Sequence, residues 1–344
     1  MKLKYLSTAM VLATLPATGA FAAALDRSGQ SMSAFLQPGN YFEAGLSVLD
    51  ADVSGTTKAN YPNAALPLLS NTSVGEMADS YQFAHAALKL QLADQLSFGL
   101  IYDQPFGAKA TYSTDTAKLP AALPGAAAAL QGQGAFHNGT QGTSVEVETQ
   151  NLSMILGFQP NKNLNFYAGP VYQTVKGNVQ LRGTAYGGSA TFGGYNADIK
   201  ETGDIGWLAG AAYQIPDIAL KASVTYRSEI DHSTHLNETF NAPSLFAGLN
   251  AVPSKETTIT TPQSVNLDLQ SGIMADTVAF ANIRWVNWKD FSIQPYKFGK
   301  VSEAIGGLVG RPNGFNLVQY SDDQWSVTAG VGRKVTEKWA GNVS

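Results

Sequence analysis

The sequence predicts an all-β fold, a transmembrane antiparallel β-barrel, from three observations. An export signal begins the chain, apolar and polar residues alternate along many short segments, and short connections alternate with long ones. Charged residues make up only 14% of the 344 residues, and the mean hydropathy is close to zero. This composition fits neither an ordinary charged soluble surface nor a bundle of apolar membrane helices. It is typical of barrel strands, which carry one apolar face and one polar face.

The first 22 residues predict a secretory signal peptide. Two lysines form the positive start, an apolar core follows, and Ala20-Phe21-Ala22 fits an A-x-A cleavage site, with cleavage after Ala24 as the alternative. The apolar core is too short to cross a bilayer as a helix. We therefore expect an exported protein, with residues 23–39 as a short periplasmic or lumenal segment and residues 40–344 as the barrel.

The absence of cysteine and the weak charge narrow the classes of protein and partner. An exported chain of this length without disulfides needs another source of stability, and a hydrogen-bonded barrel provides one. The net charge of −4 gives no reason to expect nucleic acid as a partner. After the signal, no apolar run reaches about 18 residues, so the sequence predicts no membrane helix.

Period-2 alternation predicts the strands of the barrel. Along residues 218–230, apolar side chains occupy one face, whereas Lys221 and Arg227 share the other. Lipid-facing positions must be apolar and lumen-facing positions tolerate polar groups, which produces this pattern. The predicted strands are 40–50, 79–91, 95–103, 143–158, 163–182, 204–215, 218–230, 264–273, 276–289 and 322–335, with an eleventh from residue 338.

The connections between these strands alternate in length. Short turns such as 216–217 alternate with long connections, which are 51–78, 104–142, 183–203, 231–263 and 290–321. Bacterial outer-membrane barrels have short periplasmic turns and long extracellular loops, so we expect the N-terminus on the periplasmic side. Such barrels have an even number of strands and no open edge in lipid. Because the chain ends in an eleventh strand, we expect a barrel that lacks its last strands here.

Four segments of the sequence resemble one family of outer-membrane proteins. They are Leu-Asp-Arg-Ser-Gly-Gln at residues 25–30, Gly-Leu-Ile-Tyr-Asp-Gln-Pro-Phe-Gly at 99–107, Tyr-Arg-Ser-Glu at 226–229 and Ile-Arg-Trp-Val-Asn-Trp-Lys-Asp-Phe at 283–291. Together and in this order, they resemble the FadL-type family of outer-membrane transporters of hydrophobic molecules. Two features depart from the family pattern, because an Asn-Pro-Ala hatch motif is absent and the connection at 104–142 is unusually long.

The resemblance implies both an architecture and a function. It implies a monomeric barrel of about fourteen strands in the bacterial outer membrane, about ten to eleven of them within this chain. It also implies passive uptake of hydrophobic molecules, with long-chain fatty acids as the leading substrate and sideways exit into membrane lipid through a kink in the third strand. No cofactor is implied.

Inward-facing cations are the candidates for holding the head group of an acidic ligand. The alternation places Arg227, Arg284 and Lys221 in the lumen, and an arginine offers a two-pronged fork to a carboxylate. The alternative is structural pairing within the wall, for example of Arg227 with Glu229 or Asp268, since barrel interiors are normally polar.

The end of the third strand is the candidate for the lateral exit. Pro105 cannot donate to a strand ladder, and Gly107 permits unusual backbone angles. With Asp103 and Phe106, these residues form the candidate opening. The alternative is that the strand simply ends at Asp103 and a turn begins.

Two loops carry apolar residues that are candidates for capturing a ligand outside the cell. Leu119 and Leu123 belong to one loop, and Leu245 and Phe246 to the other. An exposed apolar surface would take up a hydrophobic molecule before a pocket shelters it. The alternative is that these loops pack on each other and cap the barrel.

Other functions have less support in the sequence. An aromatic hydrocarbon channel is the nearest alternative, followed by a porin-like or adhesin barrel with a structural role. His232 and His235 are spaced i, i+3, which on a strand places them on opposite faces and argues against a shared metal. No Gly-x-Ser-x-Gly elbow occurs. We therefore expect neither an enzyme nor a metal site.

Overall fold

One large antiparallel sheet forms most of the molecule. The computed structural model describes residues 25–59, 67–123, 125–308, 312–336 and 339–344, so the predicted signal peptide lies outside the described residues. Among the helices in these ranges, none has the length and apolar character to cross a membrane.

Most strands of the main sheet are long, whereas the strands within the connections are short. They are β1 (Tyr41–Leu49), β2 (Ser54–Thr56), β3 (Ser73–Glu76), β4 (Tyr81–Ala93), β5 (Leu96–Asp103), β6 (Gly107–Thr111), β7 (Ser144–Phe158), β8 (Leu164–Gln180), β9 (Tyr195–Ile215), β10 (Leu220–Arg227), β11 (Ile230–His235), β12 (Asn237–Phe240), β13 (Glu256–Thr261), β14 (Ser264–Met274), β15 (Thr277–Val286), β16 (Ser292–Ile293), β17 (Val318–Gln319), β18 (Gln324–Lys334) and β19 (Ala340–Val343). One α-helix is described, α1 (Tyr296–Leu308), with 3-10 turns at Pro67–Leu69, Gly125–Leu130, Thr184–Tyr186, Phe192–Gly194, Pro216–Ile218 and Ala247–Ala251.

The order of the strands confirms the predicted up-and-down barrel wall. Within the described residues the main sheet has thirteen strands, in the order β1-β4-β5-β7-β8-β9-β10-β14-β15-β18-β19, with β6 and β12 pairing off this path. Removing those two leaves eleven strands, which correspond one by one to the predicted segments. Each ladder between successive strands is antiparallel.

The start of β9 was predicted too late. The strand begins at Tyr195, because its first residues pair with β12, whereas the predicted segment began at residue 204. Lys200 and Glu201 are adjacent and both exposed, which breaks the alternation that would have indicated a strand there.

The two faces of the sheet have opposite character, as the alternation predicted. Large apolar side chains are exposed on the outer face, for example Leu156 at 58% and Val327 at 71%. Polar side chains are buried on the inner face, for example Ser153 at 0% and Asn266 at 3%. A membrane barrel requires this arrangement, since its outer face meets lipid and its inner face meets polar groups.

The long connections fold into a layer of their own. A buried set of apolar side chains, here called the loop cluster, packs these connections together; it includes Phe106, Phe192, Tyr195, Phe240, Trp288, Phe291 and Phe298. Helix α1 belongs to this layer and was not predicted, because glycines interrupt its apolar spacing. The interior of the wall is held by a second set that includes residues of the N-terminal segment.

Candidate functional site

The N-terminal segment lies against the inner face of the wall. Residues 25–39, here called the plug segment, bury Met32, Phe35 and Leu36 almost completely. The Phe35 ring packs on Gly99 and Gly157, and a side chain at either glycine would overlap it. The ring also meets Tyr167 edge to face, with their centroids 5.7 Å apart. The sequence did not predict these contacts, although it placed the segment in the periplasm or lumen.

Two inward lysines hold the end of the plug segment. The Nζ atom of Lys221 donates to the carbonyl oxygen of Leu36 at 3.0 Å, and the Nζ atom of Lys89 donates to that of Gln37 at 2.5 Å. Lys221 was predicted from the sequence to face the lumen, whereas Lys89 was not. The same alternation along β4 would have placed Lys89 in the lumen, because Ala87 and Lys89 are both buried there.

Arg284 is in the lumen, and its guanidinium binds a carboxylate of the chain itself. Its Nε atom lies 2.7 Å from Oδ2 of Asp26 and its Nη2 atom lies 3.2 Å from Oδ1, so the fork is bidentate. The remaining donors reach Asn266 Oδ1 at 2.6 Å and Gln30 Oε1 at 3.0 Å. Both Arg284 and Asp26 are buried. This ion pair joins β15 to the plug segment.

Arg227 also contacts the plug segment, and its predicted pairing with Glu229 or Asp268 is wrong. Its Nη2 atom donates to the carbonyl oxygen of Gln30 at 3.3 Å. Strand β10 ends at Arg227 and β11 begins at Ile230, so the alternation shifts and Glu229 is exposed. Asp268 instead accepts a hydrogen bond of 2.7 Å from Asn282.

A cavity of about 530 Å³ lies between the plug segment and strands β10, β14, β15 and β18, and it extends to the outward-facing Trp325 and Val327 at the edge of β18 that β19 does not cover. Its lining combines polar and apolar groups, and the apolar area is the larger; both partners of the Asp26–Arg284 pair face it, as does Lys221. Phe280 and Ala281 add apolar surface. The cavity therefore offers cationic and hydrogen-bonding groups beside a larger apolar area.

The wall is interrupted where the third predicted strand ends. The ladder between β4 and β5 ends at the pair Ala86–Tyr102. Farther along, the residues before β4 pair again with β6 at the bridge Ala78–Ala110. Strand β5 does end at Asp103, but the chain does not turn away, because β6 continues along β7. Between these points the described residues form no ladder across this edge, which we call the wall gap.

The continuation of β5 into β6 contains a bulge. Asp103 faces Asn151 and Gly107 faces Glu148, so four steps along one strand correspond to three along the other. One extra residue bends the strand at this point. Phe106 points into the molecule and packs against Trp288 of the loop cluster, with the ring centroids 5.4 Å apart.

The first residues of the plug segment occupy the wall gap. Residues Leu25–Arg27 are here called the strap. The strap pairs with residues 105–107, between β5 and β6, along the edge that faces β4. The amide of Arg27 donates to the carbonyl oxygen of Pro105 and the amide of Gly107 donates to that of Leu25, each at 2.7 Å. The strap therefore makes the backbone hydrogen bonds that β4 does not make here.

The side chain of Arg27 fills the space between β4 and β6. Its guanidinium packs on Gly107, and its Cζ atom lies 3.9 Å from the centre of the Tyr81 ring. Arg27 was not predicted as a site residue, although it belongs to one of the segments that carry the family resemblance.

The four capture candidates lie in different surroundings. Leu119 is buried at 1%, so it offers no exposed surface, and its assignment to an exposed capture site is wrong. Leu123 and Phe246 are half-buried, and Phe246 packs against the loop cluster. Leu245 is 79% exposed. Packing between loops, the alternative interpretation, therefore accounts for part of this surface.

Solved structures with the same fold identify the architecture. No protein-family model and no curated protein matches the sequence. A FadL homologue of Pseudomonas aeruginosa aligns with a TM-score of 0.53 and 17% identity, over 88% of this chain and 68% of that one. The toluene transporter TodX of P. putida aligns with a TM-score of 0.51 and 16% identity, over 87% and 72%. A TodX deltaS2S3 mutant, described as a monoaromatic hydrocarbon channel, gives 0.53 and 17%, over 88% and 73%. The chain therefore has the antiparallel β-barrel fold of this FadL homologue and of TodX.

Proposed function

We propose that the protein is a transporter of the bacterial outer membrane through which hydrophobic molecules enter passively. The observation that carries this proposal is the plug segment, which packs against the inner face of the wall and reaches a gap in the wall. A structural barrel has no need of a gap covered by its own N-terminus. The apolar outer face supports residence in a membrane, and the proteins that share the fold include a FadL homologue and a toluene transporter.

Long-chain fatty acids are the leading substrate in this proposal. The cavity beside the plug segment presents Lys221 and Arg284, and a cation in a lumen is suited to hold a carboxylate head group. Aromatic hydrocarbons are the second candidate, because TodX is a toluene transporter. A neutral hydrocarbon would leave the polar groups of this lining without partners, which disfavours its binding.

In this proposal, the path of a hydrophobic molecule leads from the loops through the cavity to the wall gap. Leu245 stands exposed beside the loop cluster, where a hydrophobic molecule would first be held. The cavity then shelters the molecule, and the gap at Asp103–Gly107 lets it leave sideways into lipid. The strap must move away from Pro105 and Gly107 before anything passes.

Uptake by intact cells tests the proposal. Cells that lack their own transporter would express this protein, and labelled oleate and labelled toluene would be supplied in parallel. We expect oleate uptake well above that of cells with an empty vector, and reduced uptake for Lys221→Met. Uptake of toluene alone would favour the second candidate. Uptake of neither by an inserted barrel, or a wide ion conductance without uptake, would contradict the transport proposal.

A further inference from the structure

The ladder along one edge of β9 is interrupted and then resumes. Strand β10 pairs with β9 up to Arg227–Leu208, and β12 pairs with the same edge again from Asn237–Asp198. Both chains advance equally between these two pairs, so the register is unchanged. Within the described residues, no ladder joins positions 199–206 of β9 to the intervening strand β11, although β11 lies close by. We call this opening the rim cleft.

The rim cleft exists because β11 lies over the inner face of β9 and not beside it. Strand β11 pairs with β13 in a separate two-stranded sheet. The Nε2 atom of His232 in β11 lies 2.9 Å from the Oε1 atom of Gln173, and the hydroxyl of Thr261 in β13 donates to the same oxygen at 2.6 Å. Gln173 is a buried residue of β8, on the far side of β9. The two side chains therefore reach across β9 within the lumen, which draws β11 away from the free edge.

The rim cleft opens where the outer surface changes from apolar to polar. Towards the barrel, Ile205 and Trp207 are 70% and 52% exposed. Towards the loops, Lys200 and Glu201 are exposed on the same strand. Apolar and aromatic side chains on the outer face of a barrel lie at the level of lipid, whereas charged side chains lie in the aqueous layer beyond it. The cleft is therefore open to water at the boundary of the membrane.

A small cavity of about 10 Å³ lies behind the rim cleft. Ser228 and Ile230 line it at the wall, and Gln30 of the plug segment lines it in the lumen. Such a volume holds about one water molecule, provided that polar partners are present. The polar side chains that complete the lining are Asn151, Gln173, Arg227 and Thr261. The Nε atom of Arg227 is buried without a hydrogen-bond partner among the described residues, so it is available to a water in this cavity.

Close contacts keep the rim cleft narrow. The amide of Ser228 donates to the carbonyl oxygen of Trp207, and the amide of Trp207 donates to the Oγ atom of Ser228, each at 3.0 Å. A side chain at Gly206 would overlap both Ile230 and Ser228. A hydrophobic molecule that entered here would also leave the polar lining without partners, which is unfavourable. The opening therefore admits water and excludes hydrophobic molecules.

We propose that the rim cleft is a water passage, through which water exchanges between the outer surface and the lumen at Arg227. A hydrophobic molecule that enters a polar lumen displaces water, and a separate passage lets that water leave without crossing the path of the cargo. This inference goes beyond the transport of hydrophobic molecules, and its test does not depend on transport.

Oxygen labelling of the native protein tests the passage without any substitution. Short X-ray pulses convert water into hydroxyl radicals, which add oxygen to neighbouring aromatic rings. Phe106 lines the cavity, whereas Phe35 is similarly buried in its slot on the wall and does not line it. The folded protein would be mixed rapidly with water that carries heavy oxygen and then irradiated. We expect mass spectrometry to find heavy oxygen on Phe106 and none on Phe35.

A variant checks that the water arrives through the rim cleft. Ser228→Val replaces a hydroxyl by methyl groups at the mouth of the cavity, so the label on Phe106 should be lost. Ser233→Val, at an exposed position of β11 that does not line the cavity, is the matched control and should behave as the wild type. If Ser228→Val fails to fold, Ile230→Phe blocks the same opening with a larger apolar side chain and should have the same effect.

The outcomes separate the water passage from the transport function. Absence of heavy oxygen on Phe106, or equal amounts on Phe106 and Phe35, would overturn the passage. A label on Phe106 that persists when the mouth is blocked would overturn it too, because water would then arrive by another path. Uptake of oleate by cells is measured independently of all these results, so the transport proposal stands or falls separately.

Discussion

At the scale of single residues, glycines on the inner wall determine where the plug segment can lie. Gly99 and Gly157 lie directly under the Phe35 ring, where any side chain would collide with it. Neither glycine has a positive φ, so the reason for glycine here is space and not backbone conformation. The slot fixes Phe35 to one place on the wall.

Gly99→Ala should therefore loosen the plug segment. The added methyl group overlaps the Phe35 ring, and overpacking of this kind costs about 1–3 kcal/mol. The predicted result is a lower free energy of unfolding in detergent and faster hydrogen exchange in residues 32–37. Gly341→Ala is the control, since a side chain there meets open space. Equal effects of the two substitutions would argue against the slot.

The faces of individual residues were predictable, but their partners were not. Alternation along a strand correctly placed Arg227, Arg284 and Lys221 inside, because it depends only on neighbouring residues. Their partners lie in the plug segment, which is far away in sequence, and nothing in a strand pattern indicates what crosses the lumen. The same reason explains why Asp26 and Arg27 were not proposed as site residues.

At the scale of elements, the long connections contain the least predictable structure. Helix α1 depends on Glu238 of β12, a buried residue whose carboxylate accepts from the amides of Lys297 and Phe298, each at 2.9 Å. The hydroxyl of Tyr195 donates to the same carboxylate at 2.9 Å. A negative charge at a helix N-terminus is favourable, and here it comes from another loop. Local sequence at the helix therefore carries no sign of its cap.

Glu238→Gln should weaken the attachment of α1. The amide group of glutamine accepts fewer hydrogen bonds and carries no charge, so we expect a loss of about 1–3 kcal/mol in the local stability of this layer. Hydrogen exchange of residues 296–308 would measure it. Glu256→Gln changes an exposed glutamate of β13 and provides the comparison. Unchanged exchange in the first variant would show that the cap is unimportant.

The loop before β7 should lose stability in mild acid. His137 is fully buried, its Nδ1 atom accepts from the Gly139 amide at 3.1 Å, and burial lowers its pKa below the usual value of about 6.5. The unfolded loop then binds a proton more readily than the folded one. The contribution of His137 to the stability of this loop is therefore fully present above about pH 6.5 and is lost as the pH falls below that value. The rate of protease cleavage within residues 112–143 should increase as the pH is lowered from 7.5 to 5. The same pH dependence in His137→Asn would contradict this assignment.

At the scale of the whole molecule, the fold follows from a distribution of polar and apolar residues that is the opposite of that in a soluble protein. Apolar residues are exposed outside and polar residues are buried inside, so the wall was predictable strand by strand from the alternation and from the lengths of the connections. The plug segment, the wall gap and the loop cluster depend on contacts between distant parts of the chain. The sequence indicated the gap only through Pro105 and Gly107, which fit either a kink or a turn.

If hydrophobic molecules pass only when the plug segment leaves the wall gap, as we propose, a reversible covalent lock between the plug segment and the wall should control uptake. Ser28 donates to Asp103 at 2.7 Å, and the chain has no cysteine, so Ser28→Cys with Asp103→Cys offers a single disulfide between plug and wall. We predict that oxidation stops oleate uptake and that reduction restores it, while each single variant responds to neither. Undiminished uptake through a barrel whose disulfide is verified would contradict the account.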